Sequence, residues 1–320
     1  LRFAIATKAN PTSRADWTIV GDVVSADRPP IPCGGACASD QVCIVDANAP
    51  NSERCAKPAA TCVPACTGKQ TCVGAVDSSK PNECHDSKQA DANPDLPPGT
   101  GLMPALKFMD DKAVIAYYDS LTHSLKAVKA TAAGAAPAFG AAVELDGNDA
   151  TTSTRRDAGR WPSIDIAPST ASQRIAITFQ DLTSQQLLLY TSNDLFAHPA
   201  HAADGASGLI HVLDNGLPAS GDPWHAQSFP GVQSAVAFTP AGKIAAAYQD
   251  GTPVDLLFAT FDPSTNKVGG RATVRSDGAT GFYPRVVMDQ GTAYISSATI
   301  KAATAQLTSN ALKLDSRSAP

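Results

Sequence analysis

The chain has 320 residues, a hydrophobic fraction of 43% and a formal charge of −5. That length supports one large core or two smaller ones, and the acidic balance argues against a nucleic-acid surface, which needs clustered Lys and Arg. No apolar run approaches the roughly 18–20 residues that cross a bilayer as a helix, so no membrane span is expected.

Aromatic residues make up only 6% of a chain rich in Ala, so its core must be built from small and β-branched side chains. The chain opens at Leu1-Arg-Phe-Ala-Ile-Ala-Thr, already inside a strand pattern. With neither an initiator Met nor a signal peptide, it reads as a processed piece of something longer. Residues 1–27 hold two strand-like pieces joined by Asn10-Pro11-Thr12-Ser13. The first matches Leu125-Lys-Ala-Val-Lys-Ala-Thr, so these residues read as the third and fourth strands of a partial unit.

Residues 28–91 contain all eight cysteines in two copies of one pattern, C-x3-C-x5-C-x11-C, with a period of 29. Each copy has few apolar side chains (Val42, Ile44 and Val45; then Val63, Val73 and Val76). So little apolar surface cannot offset the ordering entropy of the segment, whereas disulfides typically contribute about 2–4 kcal/mol each. Thiols confined to one polar segment point to an oxidising compartment: secreted, periplasmic or cell surface. Spacing alone leaves three pairings open in each copy. Zinc is the rival reading, and the x5 and x11 spacings suit it poorly. The x3 and x5 spacings resemble the start of EGF-like modules, although such modules have six cysteines rather than four. That resemblance implies Cys33–Cys43, Cys37–Cys55, Cys62–Cys72 and Cys66–Cys84.

Residues 92–101 are a Pro-rich linker, and residues 102–320 carry a longer repeat. Pro104, Pro162, Pro230 and Pro284 mark its units. Each offers a first strand, a second strand, and a third led by Leu125, Leu187, Leu256 or Leu312. Fourth strands are expected near 141–145, 209–213 and 271–275. Units of this length are expected of solenoids and propellers. The predicted fold is an all-β propeller of four-stranded antiparallel blades, about four recognisable plus one partial, with a small disulfide-rich insert. A parallel β-helix is the runner-up.

Proline, first strand, second strand ending aromatic-x-Asp and Leu-led third strand together resemble the secreted bacterial β-propellers of the sialidase-like (BNR-like) kind. The Asp-box of true sialidases, Ser-x-Asp-x-Gly-x-x-Trp, occurs in no unit, so the resemblance implies architecture rather than sialidase chemistry. Propellers commonly close by sharing one blade between the chain ends. The missing blades are therefore expected before Leu1 or on a second chain; a five-bladed ring completed by residues 1–24 is the alternative.

Several constellations are candidate sites. Asp119, Asp181 and Asp250 hold the same place in three units, as structural turn carboxylates or as a ring of cation ligands. Tyr117, Phe179 and Tyr248 align as core. His198, His201, His211 and His225 would suit Zn or Cu. Asp146, Asn148 and Asp149, followed by Asp157, form an oxygen-rich loop of the kind that binds Ca. Trp161 and Trp224 would stack on a ligand ring. Arg160, clustered with Arg155 and Arg156, and Arg285 would grip a carboxylate. No cofactor is expected beyond these metals, and no nucleophile motif is visible. The expected function is therefore a non-catalytic binding or scaffold propeller, contacting a protein or glycan partner through its face loops and Cys-rich insert. The alternatives are a glycosidase or lyase with its site in the central funnel, where carboxylates from different blades would converge, or a metal-binding protein at the His198–His225 loops.

Overall fold

The computed structural model describes residues 2–6, 10–11, 13–22, 40–45, 53–67, 70–75, 79–87, 99–134, 137–147, 156–168, 171, 173–193, 210–217, 227–303 and 306–319. They form two compact units: Leu1–Val24 with Gly99–Pro320, and Ser25–Pro98. The larger unit opens with an antiparallel pair, β1 (Arg2–Ala6) and β2 (Trp17–Asp22).

The smaller unit is one sheet. Strands β3 (Val42–Val45), β4 (Glu53–Ala56), β5 (Gln70–Val73) and β6 (Glu83–Ser87) run in the order β4-β3-β6-β5. Each cysteine repeat contributes one hairpin, and β3 pairs with β6, so the two copies share a sheet. Its core is limited to Ile44, Val73 and Ala56, with Val42 packed against them, while Val63 is 87% exposed. Cys62 is bonded to Cys72 and Cys66 to Cys84. Cys43 and Cys55 are each disulfide-bonded; Cys33 and Cys37 lie outside the described residues.

The larger unit continues as four antiparallel sheets of the propeller type. The first has β7 (Leu102–Met109), β8 (Lys112–Asp119), β9 (Ser124–Lys129) and β10 (Val143–Asp146). The second has β11 (Ala158–Ile166), β12 (Ile175–Asp181), β13 (Gln186–Ser192) and β14 (Ile210–Asp214). The third has β15 (Pro230–Phe238), β16 (Ile244–Asp250), β17 (Asp255–Asp262), β18 (Lys267–Val268) and β19 (Ala272–Arg275). The fourth has three strands, β20 (Ala279–Asp289), β21 (Thr292–Ala303) and β22 (Gln306–Ser318).

First strands neighbour one another in succession: β11 lies against β7 and β15, and β15 against β20. The second strands of the second and third sheets are sandwiched on both faces, so β12 and β16 are buried at every residue. This is why they read as unbroken apolar runs, and why Ala176, Ala245 and Ala247 let adjacent sheets approach. Phe179 packs between the first and second sheets and Tyr248 between the second and third. Tyr117 faces away from the second sheet, in a cluster with Ile5 of β1.

A glycine starts each sheet-to-sheet contact. A Cβ on Gly159 would stand 2.5 Å from the Leu125 nitrogen, and one on Gly231 would stand 2.9 Å from Cδ1 of Leu187. The leucines that lead the third strands thus lie beneath the first-strand glycines of the next sheet.

Candidate functional site

Next to that glycine every first strand bulges. Its pairing shifts between Leu102 and Ala105, Arg160 and Ser163, Pro230 and Ser234, and Phe282 and Arg285. Bulges re-aim side chains, here those of Met103, Trp161, Gln233 and Tyr283. Three of the four hold a left-handed backbone without being glycine: φ is 51° at Met103, 54° at Trp161 and 51° at Tyr283. Such conformations cost about 1–3 kcal/mol each and concentrate at functional sites.

The bulges are linked from sheet to sheet. The Trp161 N–H donates to Met103 Sδ at 3.2 Å, Ser234 Oγ donates to the Trp161 carbonyl at 3.3 Å, and the Tyr283 N–H donates to Gln233 Oε1. A row of thioether, indole, amide and phenol results, with Trp161 half-buried and Tyr283 68% exposed.

A polar cluster adjoins this row at the start of β11. Tyr118 donates its hydroxyl to Asp157 Oδ1 at 2.7 Å, and Arg160 Nη2 donates to Asp157 Oδ2 at 2.7 Å. His123 Nδ1 lies 3.8 Å from the same carboxylate and 3.4 Å from the Tyr118 hydroxyl. Burial works to raise the pKa of Asp157, but bonds from His123, Arg160 and Tyr118 together outweigh it and lower the value to about 2. Burial pushes the Tyr118 phenol up. The cluster therefore presents an ionised carboxylate and a neutral phenol at neutral pH, with His123 as its most exposed member.

Arg160 is a correction to the sequence expectation. Only 6% exposed, it lies over the Tyr118 ring at 5.4 Å and is spent on Asp157, so it positions the cluster rather than gripping a ligand. Arg285 pairs with Ser296 in the register that Ser163 shares with Thr178. It therefore does not match Arg160; it is exposed, and its Nη1 bonds to the Pro284 carbonyl. Trp224 and Arg155 lie outside the described residues.

Asp119, Asp181 and Asp250 each close the turn after a second strand, accepting N–H groups from Leu121, from Thr183 and Ser184, and from Thr252. Their remaining oxygens bind cations of the chain itself. Lys126 reaches Asp119 at 2.8 Å, and Arg156 links Asp181 at 2.9 Å to Asp146 at 2.8 Å. Arg271 links Asp214 at 3.0 Å to Asp250 at 3.6 Å. Each of these arginines ties the last strand of one sheet to the second strand of the next.

Asp146, named in the calcium expectation, is paired with the Arg156 guanidinium. Burial still raises its pKa to about 6, more than Arg156 lowers it. Asn148 and Asp149 are outside the described residues, as are His198, His201 and His225. His211, on β14, stacks on Phe261 with ring centroids 4.2 Å apart and shares a 3.0 Å hydrogen bond with Thr191. Among the described residues the one set with metal-ligand spacing is Cys62, Cys66 and Cys72, whose sulfurs are committed to disulfides. Asp165 accepts from Lys107 Nζ at 3.0 Å and from the Phe238 N–H at 2.8 Å, tying three first strands together.

Proline spacing hides the bulges. Pro104, Pro162 and Pro284 directly follow a bulge residue, but Ser234 holds that place in the third sheet and Pro230 instead precedes the glycine. The signal that would have found them is Gly-x-x-Pro/Ser: Gly101-Leu-Met-Pro, Gly159-Arg-Trp-Pro, Gly231-Val-Gln-Ser and Gly281-Phe-Tyr-Pro.

No protein-family model matches the chain, and no curated protein matches it in sequence. Solved structures resemble it in fold. An exo-β-1,3-galactanase from Clostridium thermocellum is 12% identical over 62% of this chain and 42% of its own, with a TM-score of 0.42. A Hadza microbial sialidase is 11% identical over 78% and 52%, with a TM-score of 0.47. A GH43 endo-arabinanase from Bacillus licheniformis is 12% identical over 68% and 72%, with a TM-score of 0.39. The chain thus spans less than half of the galactanase and about half of the sialidase. The fold is an all-β propeller type with a disulfide-bonded segment. The expectation of a non-catalytic scaffold is corrected: the similar structures are a galactanase, a sialidase and an arabinanase, and the glycosidase alternative is taken up below. At these scores the likeness is one of architecture, and the activity rests on this chain's own residues. Among the described residues, no helix is long and apolar enough to cross a membrane.

Proposed function

We propose that the protein is a glycan-acting propeller of the glycosidase type, with saccharide lying across Met103, Trp161, Gln233 and Tyr283. The observation that carries this reading is the row of bulges. Two aromatic rings and a thioether stand on strained backbone, half-buried at Met103 and Trp161 and exposed at Tyr283, beside a carboxylate held ionised and an accessible imidazole. Aromatic faces bind the apolar faces of sugar rings while the phenol and indole edges remain polar. In this reading Trp161 and Tyr283 stack on the saccharide. His123, oriented by Asp157 and Tyr118, exchanges the proton at the scissile oxygen. The disulfides fit an oxidising compartment, so the substrate is an extracytoplasmic glycan.

The test is release of reducing sugar from a panel of galactans, arabinans and sialylated glycans by the purified chain. Trp161→Ala and Tyr283→Ala are expected to raise KM at least about tenfold with kcat less affected, and His123→Asn to lower kcat. No sugar release and no glycan binding by the native protein would overturn the reading.

A further inference from the structure

The fourth sheet carries the docking surface of its predecessors with nothing among the described residues packed on it. Leu125, Leu187 and Leu256 pair with Tyr118, Gln180 and Gln249, each one residue before the turn aspartate. In the fourth sheet the same register pairs Leu312 with Ala298. The three earlier leucines are 0% exposed and lie under the next sheet, whereas Leu312 is 80% exposed. Two residues on, Ala127, Leu189 and Phe258 are buried, and Leu314 is 70% exposed. Val287 at 65% and Tyr294 at 42% extend the same face.

Three consecutive interfaces therefore define what a fourth would be. In each, the arriving first strand sets a glycine on the leucine: Gly159 on Leu125, Gly231 on Leu187 and Gly281 on Leu256. Gln180 and Gln249 each donate a side-chain Nε2–H hydrogen bond to the carbonyls of Pro230 and Thr280, just before those glycines. Beyond the other end of the row, Ile5 of β1 packs on the face of the first sheet turned away from the second. Among the described residues β1 pairs only with β2, so its other edge is open to a further strand.

We propose that the face of Val287, Tyr294, Leu312 and Leu314 receives an antiparallel β-hairpin supplied by polypeptide other than residues 1–320. Its first strand begins with a glycine seated on Leu312, and its second strand pairs with the open edge of β1. The hairpin is the inner half of a blade whose outer half is β1 and β2. Ala298 stands where Gln180 and Gln249 stand, so the hairpin docks through apolar contact without the glutamine hydrogen bond.

The test uses the native chain and a copy of its own third-sheet hairpin, residues 228–251, in which Gly231 already has the required place. The hairpin is offered as a free labelled peptide and also tethered ahead of residue 1 by a flexible Gly/Ser linker, which supplies roughly millimolar effective concentration. Saturable peptide binding is expected, lost at least about tenfold in Leu312→Asp/Leu314→Asp or with Gly231→Val in the peptide. The tethered form is expected to raise Tm by about 5 °C, and the double variant to abolish that gain. An unchanged Tm in the tethered chain, or an equal rise in the double variant, overturns the proposal. Light scattering that shows a dimer converted to monomer by the double variant also overturns it, by giving the face to a second copy.

Discussion

The Cys-rich sheet and the propeller sheets solve the same problem by opposite means. Residues 40–87 order a four-stranded sheet around three buried apolar residues, Ile44, Ala56 and Val73, so disulfides must lower the entropy of the unfolded chain. The second and third propeller sheets need no covalent link, because each buries both faces of its second strand against neighbours. Sheets stacked in series generate their own core, whereas a small sheet with so few apolar residues must be stapled.

Breaking the staples should have the largest effect. Reduction, or Cys66→Ser with Cys84→Ser, is expected to cost about 2–5 kcal/mol per disulfide, more than that small core can absorb. Hydrogen exchange should show amide protection lost in β3–β6 and kept in β8, β12 and β16. On the propeller side Leu187→Ala, at a fully buried interface position, is expected to lower stability by about 2–5 kcal/mol in chemical denaturation.

Arg271→Ala should cost about 3 kcal/mol, because it leaves the buried Asp214 and Asp250 without their cation. Acid sharpens the comparison within the propeller. Asp157 has a folded pKa near 2, below its ordinary 3.8. Its contribution is complete above about pH 4 and lost as pH falls through 2. Asp146 has the opposite sign, since its folded value of about 6 lies above 3.8. The folded state therefore gains protons, and stability, as pH drops from 7 to 5. In pH-dependent melts Asp146→Asn should erase that gain and Asp157→Asn the loss at low pH. Leu312→Ala should have the smallest effect, within about 0.5 kcal/mol in the isolated chain, although Leu312 holds the same register place as Leu187.

The amino-acid sequence by itself determined the strand periodicity, the cysteine duplication and the turn carboxylates Asp119, Asp181 and Asp250. These depend on alternation, spacing and bonds between residues near in sequence. It also made legible the Leu-led third strands of the first three sheets, whereas Leu312 lies inside β22 rather than at its start. Only the tertiary structure decided what those strands meet. The bulges at Met103, Trp161, Gln233 and Tyr283 form one row because four sheets stack, and Pro230 misleads because a serine does the proline's work in the third sheet. Arg156 and Arg271 each join two aspartates that become neighbours only when one sheet settles on the next. Leu187 and Leu312 come from the same local pattern, yet one is buried and the other exposed, because burial belongs to the surface that arrives and not to the residue that waits for it.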